Sequence, residues 1–249
     1  MNIIVIAGSG GLGRAFVEEL SARPEVHSII VTHRRDLSTG DRGNATNGPE
    51  YGAGLLDKCQ WHQLDATQEV QVAALAEQCQ EIDWVINAAG MLHQGEYLPE
   101  KRIAQLDPEF ALENFRANTL PTMLLAKHLL PKMRHGRPAV FASISARLAS
   151  IGENGIGGWY SYRASKAALN QVIRTLSIEC RRTHPQLSLA ALHPGTTDTA
   201  LSKPFQRNVP EGQLFTPEYS AACMLKVLDR LTPETSGRFW SFDGTELPW

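Results

Sequence analysis

Short apolar runs rich in β-branched residues alternate along this chain with longer stretches of helical period. Runs at 3–6, 29–32, 61–64, 84–86, 139–144, 187–192 and 239–242 have strand length, the third being the weakest. Between them, 12–20, 70–79, 108–133, 164–181 and 217–231 read as helices. Pro121 follows Asn118 inside the third of these, so a break or bend is expected across 118–121. Strands apolar on both faces and separated by helices predict a parallel sheet covered on both sides. Right-handed crossovers make it doubly wound, a seven-stranded α/β sheet of Rossmann type. No linker divides the pattern, so residues 1–249 are read as one domain. Residues 36–58, rich in Gly, Asn, Thr and Asp, are expected to form a surface loop.

The junction of the first strand and first helix carries chemistry. It reads Gly8-Ser9-Gly10-Gly11-Leu12-Gly13, a GxGxxG. Glycines there let the backbone turn tightly and approach a pyrophosphate, which the free N–H groups of the helix start then hold. At the end of the second strand a carboxylate would hold a ribose 2′-hydroxyl. This chain has Thr32-His33-Arg34-Arg35 instead. A guanidinium suits a 2′-phosphate, so NADP(H) is the expected cofactor, with Arg34 its reader and NAD(H) the alternative.

Composition narrows the partners without changing the fold. Of 249 residues, 43% are hydrophobic and 20% charged, the balance of a globular chain rather than a disordered one. A net charge of −2 and a pI near 6.4 give no basic field for nucleic acid. The apolar run after Met1 is too short for a secretory signal, and no segment approaches the ~18 apolar residues of a membrane span. Cys59, Cys79, Cys180 and Cys223 are scattered without a CxxC, and the histidines have no ligand spacing. A reduced cytoplasmic protein without a metal site is expected.

Tyr162-Arg163-Ala164-Ser165-Lys166 opens the fourth helical stretch, which continues Ala167-Ala168-Leu169-Asn170. With it in view the chain resembles the short-chain dehydrogenase/reductase family over nearly its whole length. Asn87-Ala88-Ala89-Gly90 resembles the family's NNAG element, Asn118 its helix asparagine, and Asp65 its adenine-side aspartate. His193-Pro194-Gly195 with Thr199 resembles the PG-x-x-x-T element beside the nicotinamide. The first motif departs from the family's TGxxxGxG, having Ala7-Gly8 and a turn one residue shorter. Gly157-Gly158-Trp159-Tyr160 and the closing Phe242-Asp243-Gly244 and Pro248-Trp249 resemble the C-factor-like subgroup.

The resemblance implies an NAD(P)-dependent carbonyl reductase or alcohol dehydrogenase acting on a small carbonyl or hydroxyl compound. Tyr162 and Lys166, four apart, share one helix face. A phenol of pKa about 10 becomes a working acid–base group if a nearby ammonium lowers it, which is the role implied for Lys166. Asn118 would hold a water linking Lys166 to solvent. The family's serine is harder to assign. Counting back from Ala149 lands on Ala146, counting from Gly136 favours Ser143, and Ser145 adjoins the expected slot. Ser145 is taken as the site serine, with Ser143 the alternative.

Residues 91–106, 151–159 and 196–214 are the expected substrate walls, the last a lid. Trp159, Phe205 and Phe215 there suit an apolar or aromatic substrate, or simply close loops onto the core. The resemblance also implies a homodimer or homotetramer built through the helices at 108–133 and 164–181. The competing reading is a catalytically weak dinucleotide-binding sensor or signalling protein of the same fold. A sugar-nucleotide epimerase would need more chain after His193 than is present.

Overall fold

The computed structural model describes residues 1–34 and 57–249. Arg35 and nearly all of the loop expected at 36–58 lie outside the described residues. Seven parallel strands form one sheet in the order β3-β2-β1-β4-β5-β6-β9. They are β1 (Asn2–Ile6), β2 (Ser28–His33), β3 (Cys59–Gln63), β4 (Trp84–Asn87), β5 (Ala139–Ile144), β6 (Leu187–His193) and β9 (Arg238–Ser241). Two short strands that the pattern did not show, β7 (Thr196–Thr197) and β8 (Leu214–Phe215), pair with each other at the ends of the expected lid. At two residues each they are too short to leave a periodic signature.

Helices cover both faces. On one side α1 (Gly11–Ser21) and α6 (Pro217–Leu228) press Phe16, Leu20, Met224 and Leu225 against Val5, Ile86 and Leu192. On the other, α2 (Glu69–Gln78), α4 (Leu120–Leu129) and α5 (Tyr160–Thr183) close over Phe141, Leu189 and Phe239. β5 is buried along its whole length, which is why its sequence reads as continuous rather than alternating.

The expected break across 118–121 is present. α3 (Pro108–Asn118) begins with Asp107 accepting from the Phe110 N–H at 2.8 Å and stops at Asn118. Thr119 then links it to α4, where Pro121 stands in the first turn and needs no N–H partner. The pattern at 217–231 overran. α6 ends at Leu228, and residues 230 and 231 tighten to i→i+3 bonds. α5 differs in the other direction, starting at Tyr160 rather than 164.

The strand order reverses between β1 and β4, and the register pairs Ile6 with Asn87 and Asn87 with Ser143. The carboxyl ends of these strands therefore finish at one level, where a doubly wound sheet opens its crevice.

Candidate active site

The crevice is a cavity of about 910 Å³. Its floor at one end is the turn after β1. Ala7 there adopts φ 58°, left-handed backbone in which an L side chain is strained. The Ala7 N–H donates to Thr32 Oγ1 at 3.1 Å and the Gly8 N–H to Thr32 O at 2.8 Å, so β2 holds the turn in place. A Cβ on Gly13 would come within 2.2 Å of Ala7 O, and one on Gly8 within 2.3 Å of Val31 Cγ1. Gly8 and Gly13 thus keep α1 against the sheet, a packing role. Gly10 starts α1 without a side-chain cap, and the first turn carries no acidic residue. Its N–H groups are left for an anion.

Gly10, Gly11, Leu12 and Gly13 line the cavity together with Ala88, Ala89 and Gly90, with Pro194, Gly195 and Thr199, and with Ser145, Tyr162 and Lys166. Residues spread over 190 positions of chain are brought to one crevice. A Cβ on Gly11 would stand 3.0 Å from Thr199 Cγ2, and one on Gly90 3.2 Å from Lys166 Nζ. Both approaches are tighter than an ordinary side-chain contact, so a Cβ at either place would press on a residue of the crevice.

Gly8, Ser9, Arg34, Asp65 and Asn87 are not among the cavity-lining residues. Arg34 is exposed just past β2. Asp65 accepts from the Thr67 N–H at 2.9 Å and the Thr67 hydroxyl at 2.8 Å, closing a local turn. Asn87 is buried, donating to Thr122 Oγ1 at 3.1 Å and accepting from the Ala89 N–H at 3.1 Å, which shapes the 87–90 turn.

α5 delivers Tyr162 and Lys166 from its first two turns. Lys166 Nζ donates to Ile144 O at the end of β5 at 2.9 Å. The break between α3 and α4 serves this helix. Asn118 Nδ2 reaches Ser165 Oγ at 3.0 Å, and Thr119 Oγ1 donates to Ser165 O at 2.8 Å. The Asn118 amide also pairs with the backbone of Met91, accepting at 2.7 Å and donating at 2.9 Å. It fastens the 87–91 turn to α5, a bracing role that the water-holding expectation did not include.

Ser143 in β5 and Ser145, one residue past its end, both turn to the side covered by α4 and α5. Ser143 meets Thr122 Oγ1 at 3.1 Å in the packing under α4. Ser145 lines the cavity and donates to Asn170 Oδ1 on α5 at 2.7 Å. Ala146 also reaches the cavity wall but has no polar atom on its side chain.

Burial dominates the electrostatics. It raises the Tyr162 pKa above its ordinary value. It pushes Lys166 down to about 7 and His193 to about 4, the nearby Arg147 charge adding to the latter. Burial thus acts against the charged form of both groups, opposing the lowering of the Tyr162 pKa that the resemblance implies for Lys166.

Three supporting residues gave no sequence signal. Buried Glu100 accepts from the N–H and the hydroxyl of Ser161, Asn170 receives Ser145, and Arg163 reaches three carbonyls of 148–158. Glu100 and Ser161 are 61 positions apart, beyond any local pattern. Among the described residues no group of His, Cys, Asp and Glu could hold a metal, and no helix is long and apolar enough to cross a membrane.

The family model described as short chain dehydrogenase matches residues 1–210. A 1-hydroxy-2-glutathionyl-2-methyl-3-butene dehydrogenase of Rhodococcus sp. (strain AD45) is 36% identical over 190 residues, covering 75% of this chain and 78% of the relative. C-signal of Myxococcus xanthus is 34% identical over 169 residues, covering 68% of this chain and 93% of the relative. Among solved structures, the NADPH-bound carbonyl reductase from chicken fatty liver superposes with a TM-score of 0.84 at 24% identity, covering 100% of this chain and 98% of that one. The carbonyl reductase Sniffer of Drosophila melanogaster gives 0.82 at 22%, covering 100% and 99%. These two show the fold.

Proposed function

Because the chain belongs to the short-chain dehydrogenase family, and within it to the C-factor-like subgroup, we propose that this NAD(P)-dependent oxidoreductase is an NADP(H)-dependent carbonyl reductase or alcohol dehydrogenase with Tyr162 as its acid–base group. The observation that carries the reading is one cavity holding Ser145, Tyr162 and Lys166 at one end and the uncapped start of α1 at the other. When bound, the cofactor supplies or receives the hydride.

Gly10 to Gly13 hold the pyrophosphate, with Ser9 and Gly8 completing the turn. Asp65 and the Asn87–Gly90 turn border the adenosine half. Pro194, Gly195 and Thr199 face the nicotinamide, and Lys166 holds its ribose. Arg34, exposed where an NAD-binding chain would carry a carboxylate, reads the 2′-phosphate. Ser145 orients the substrate oxygen. Its hydroxyl donates to Asn170, and turning that proton toward a bound carbonyl would give the substrate its hydrogen bond.

Burial keeps Tyr162 protonated at neutral pH, the form needed to give a proton to a carbonyl oxygen. In the reverse direction the phenolate takes the proton of an alcohol. Charging Lys166 in the complex favours that phenolate, and with the native value near 7 it needs little change of pH. The protein acts as one 1–249 unit, as a homodimer or homotetramer in the cytoplasm.

The test is steady-state turnover of a carbonyl panel with NADPH and with NADH. NADPH is expected to be preferred. Tyr162→Phe should lower kcat by about 10²–10⁴-fold while NADPH still binds. Binding of NADPH without turnover of any carbonyl would replace this reading by that of a dinucleotide sensor.

A further inference from the structure

Gly157, Gly158 and Trp159 take φ of 72°, 67° and 54° in succession, a left-handed turn immediately before the catalytic helix. Glycine enters this region freely, but tryptophan is strained there. Such backbone persists only where its surroundings hold it. Here they do. The Trp159 N–H donates to Glu100 O, and Arg163 donates to the carbonyls of Gly158 at 3.0 Å, Leu148 at 3.2 Å and Gly157 at 3.3 Å. The Glu100 carboxylate, only 3% exposed, takes the N–H and hydroxyl of Ser161 on the next turn.

This bracing fixes where an indole points. Trp159 is half-buried, lines the cavity, and stands edge-on to Tyr162 with ring centres 6.1 Å apart at 77°. Its other neighbour is Phe205, at 4.9 Å and 59°, carried by the 3₁₀ turn Lys203–Asn208 within the lid segment. Phe205 is half-buried too, lines the same cavity and meets His93 at 5.9 Å. Two aromatic rings from separate segments thus converge beside the proton donor. Apart from the start of α1, the lining offers an anion little. Besides Tyr162 and Lys166 its titratable side chains are Arg147, paired with Glu153 at 3.2 Å, and His193, which burial keeps uncharged.

We propose that Trp159 and Phe205 are specificity-determining residues, a clamp that selects an uncharged carbonyl compound bearing a flat aryl or conjugated group. This rests on the carbonyl-reducing reading of the same cavity. Ring faces reward a flat apolar substituent through offset or edge contacts and give nothing to a polyhydroxylated chain. Strain kept in Trp159 is then spent on holding one ring at a fixed distance from the reacting oxygen.

Acetophenone and 2-octanone carry eight carbons each and one ketone, so their comparison isolates the ring. With NADPH, wild-type kcat/KM should favour acetophenone by about tenfold or more, the order expected for good aromatic contacts in a pocket. Trp159→Gly, which removes the ring and relieves the backbone, and Phe205→Leu, which keeps an apolar side chain, should each cut that ratio by about fivefold. A wild-type ratio within about twofold of unity, or a ratio unmoved in both variants, overturns the clamp. If no ketone turns over, titration calorimetry of acetophenone onto the NADPH-loaded protein separates the two readings. Binding that is lost in Trp159→Gly upholds the clamp while the reductase reading fails, and absence of binding to wild type overturns the clamp.

Discussion

Lys166 illustrates what a motif leaves out at the residue scale. The spacing Tyr-x-x-x-Lys puts it on the right helix face, yet its charge depends on a burial that no local pattern records. The native value near 7 lies below the ordinary lysine value of 10.5. Between pH 7 and 10 the unfolded chain therefore holds a proton that the native chain has released, and stability rises with pH across that window. Tyr162, raised by burial, makes the opposite contribution only above its ordinary value of 10. Lys166→Met keeps the volume and removes the titration. Its melting temperature should exceed that of wild type most at pH 7, the gap narrowing toward pH 9.5. Parallel curves across that range would show Lys166 to titrate normally. Gly13 is the contrary case, legible as a glycine from the motif, although the contact that demands it, Ala7 O, belongs to the packed turn.

At the scale of the element, α5 is the piece on which the site depends. Its amphipathic body was legible over 164–181, but its first turn was not, because Trp159 offers no side-chain cap. Glu100 supplies one from another segment, placing a carboxylate at the positive end of a 24-residue helix. Glu100→Ala leaves the Ser161 N–H and hydroxyl buried without their acceptor. It should cost about 1.5–3 kcal/mol, the range for hydrogen bonds to a charged group, measured by urea unfolding. Glu100→Gln keeps one acceptor oxygen and should recover part of that loss. A cost below about 0.5 kcal/mol for the alanine variant would mean that α5 holds its start without Glu100. The α3–α4 break was legible from Pro121, while its use, presenting Asn118 and Thr119 to Ser165, depended on which helix packs beside it.

On the scale of the whole molecule, the sheet order brings five strand ends to one crevice and leaves the outer faces of α3, α4 and α5 with apolar surface. Leu112, Phe115, Met123 and Ile178 are exposed there by 39–63%. Met123 borders a groove of about 580 Å³ between α4 and α5. Such a face suits a partner copy, in line with the homo-oligomer proposed above. Sedimentation should find wild type as a dimer or tetramer and Met123→Glu shifted toward monomer. A monomeric wild type at micromolar concentration would remove the oligomer.

The sequence by itself determined the seven strands of the main sheet, the helices between them, their order and the nucleotide turn, since helical and strand periods and the glycine spacing are local properties of the chain. It also determined the pair Tyr162 and Lys166, because i and i+4 are neighbours on any helix. Only the tertiary structure decided which serine at the end of β5 lines the cavity, where α5 begins, and how burial acts on the charges of Tyr162 and Lys166. Those depend on contacts between residues tens of positions apart, and on the exclusion of water by the assembled sheet and helices.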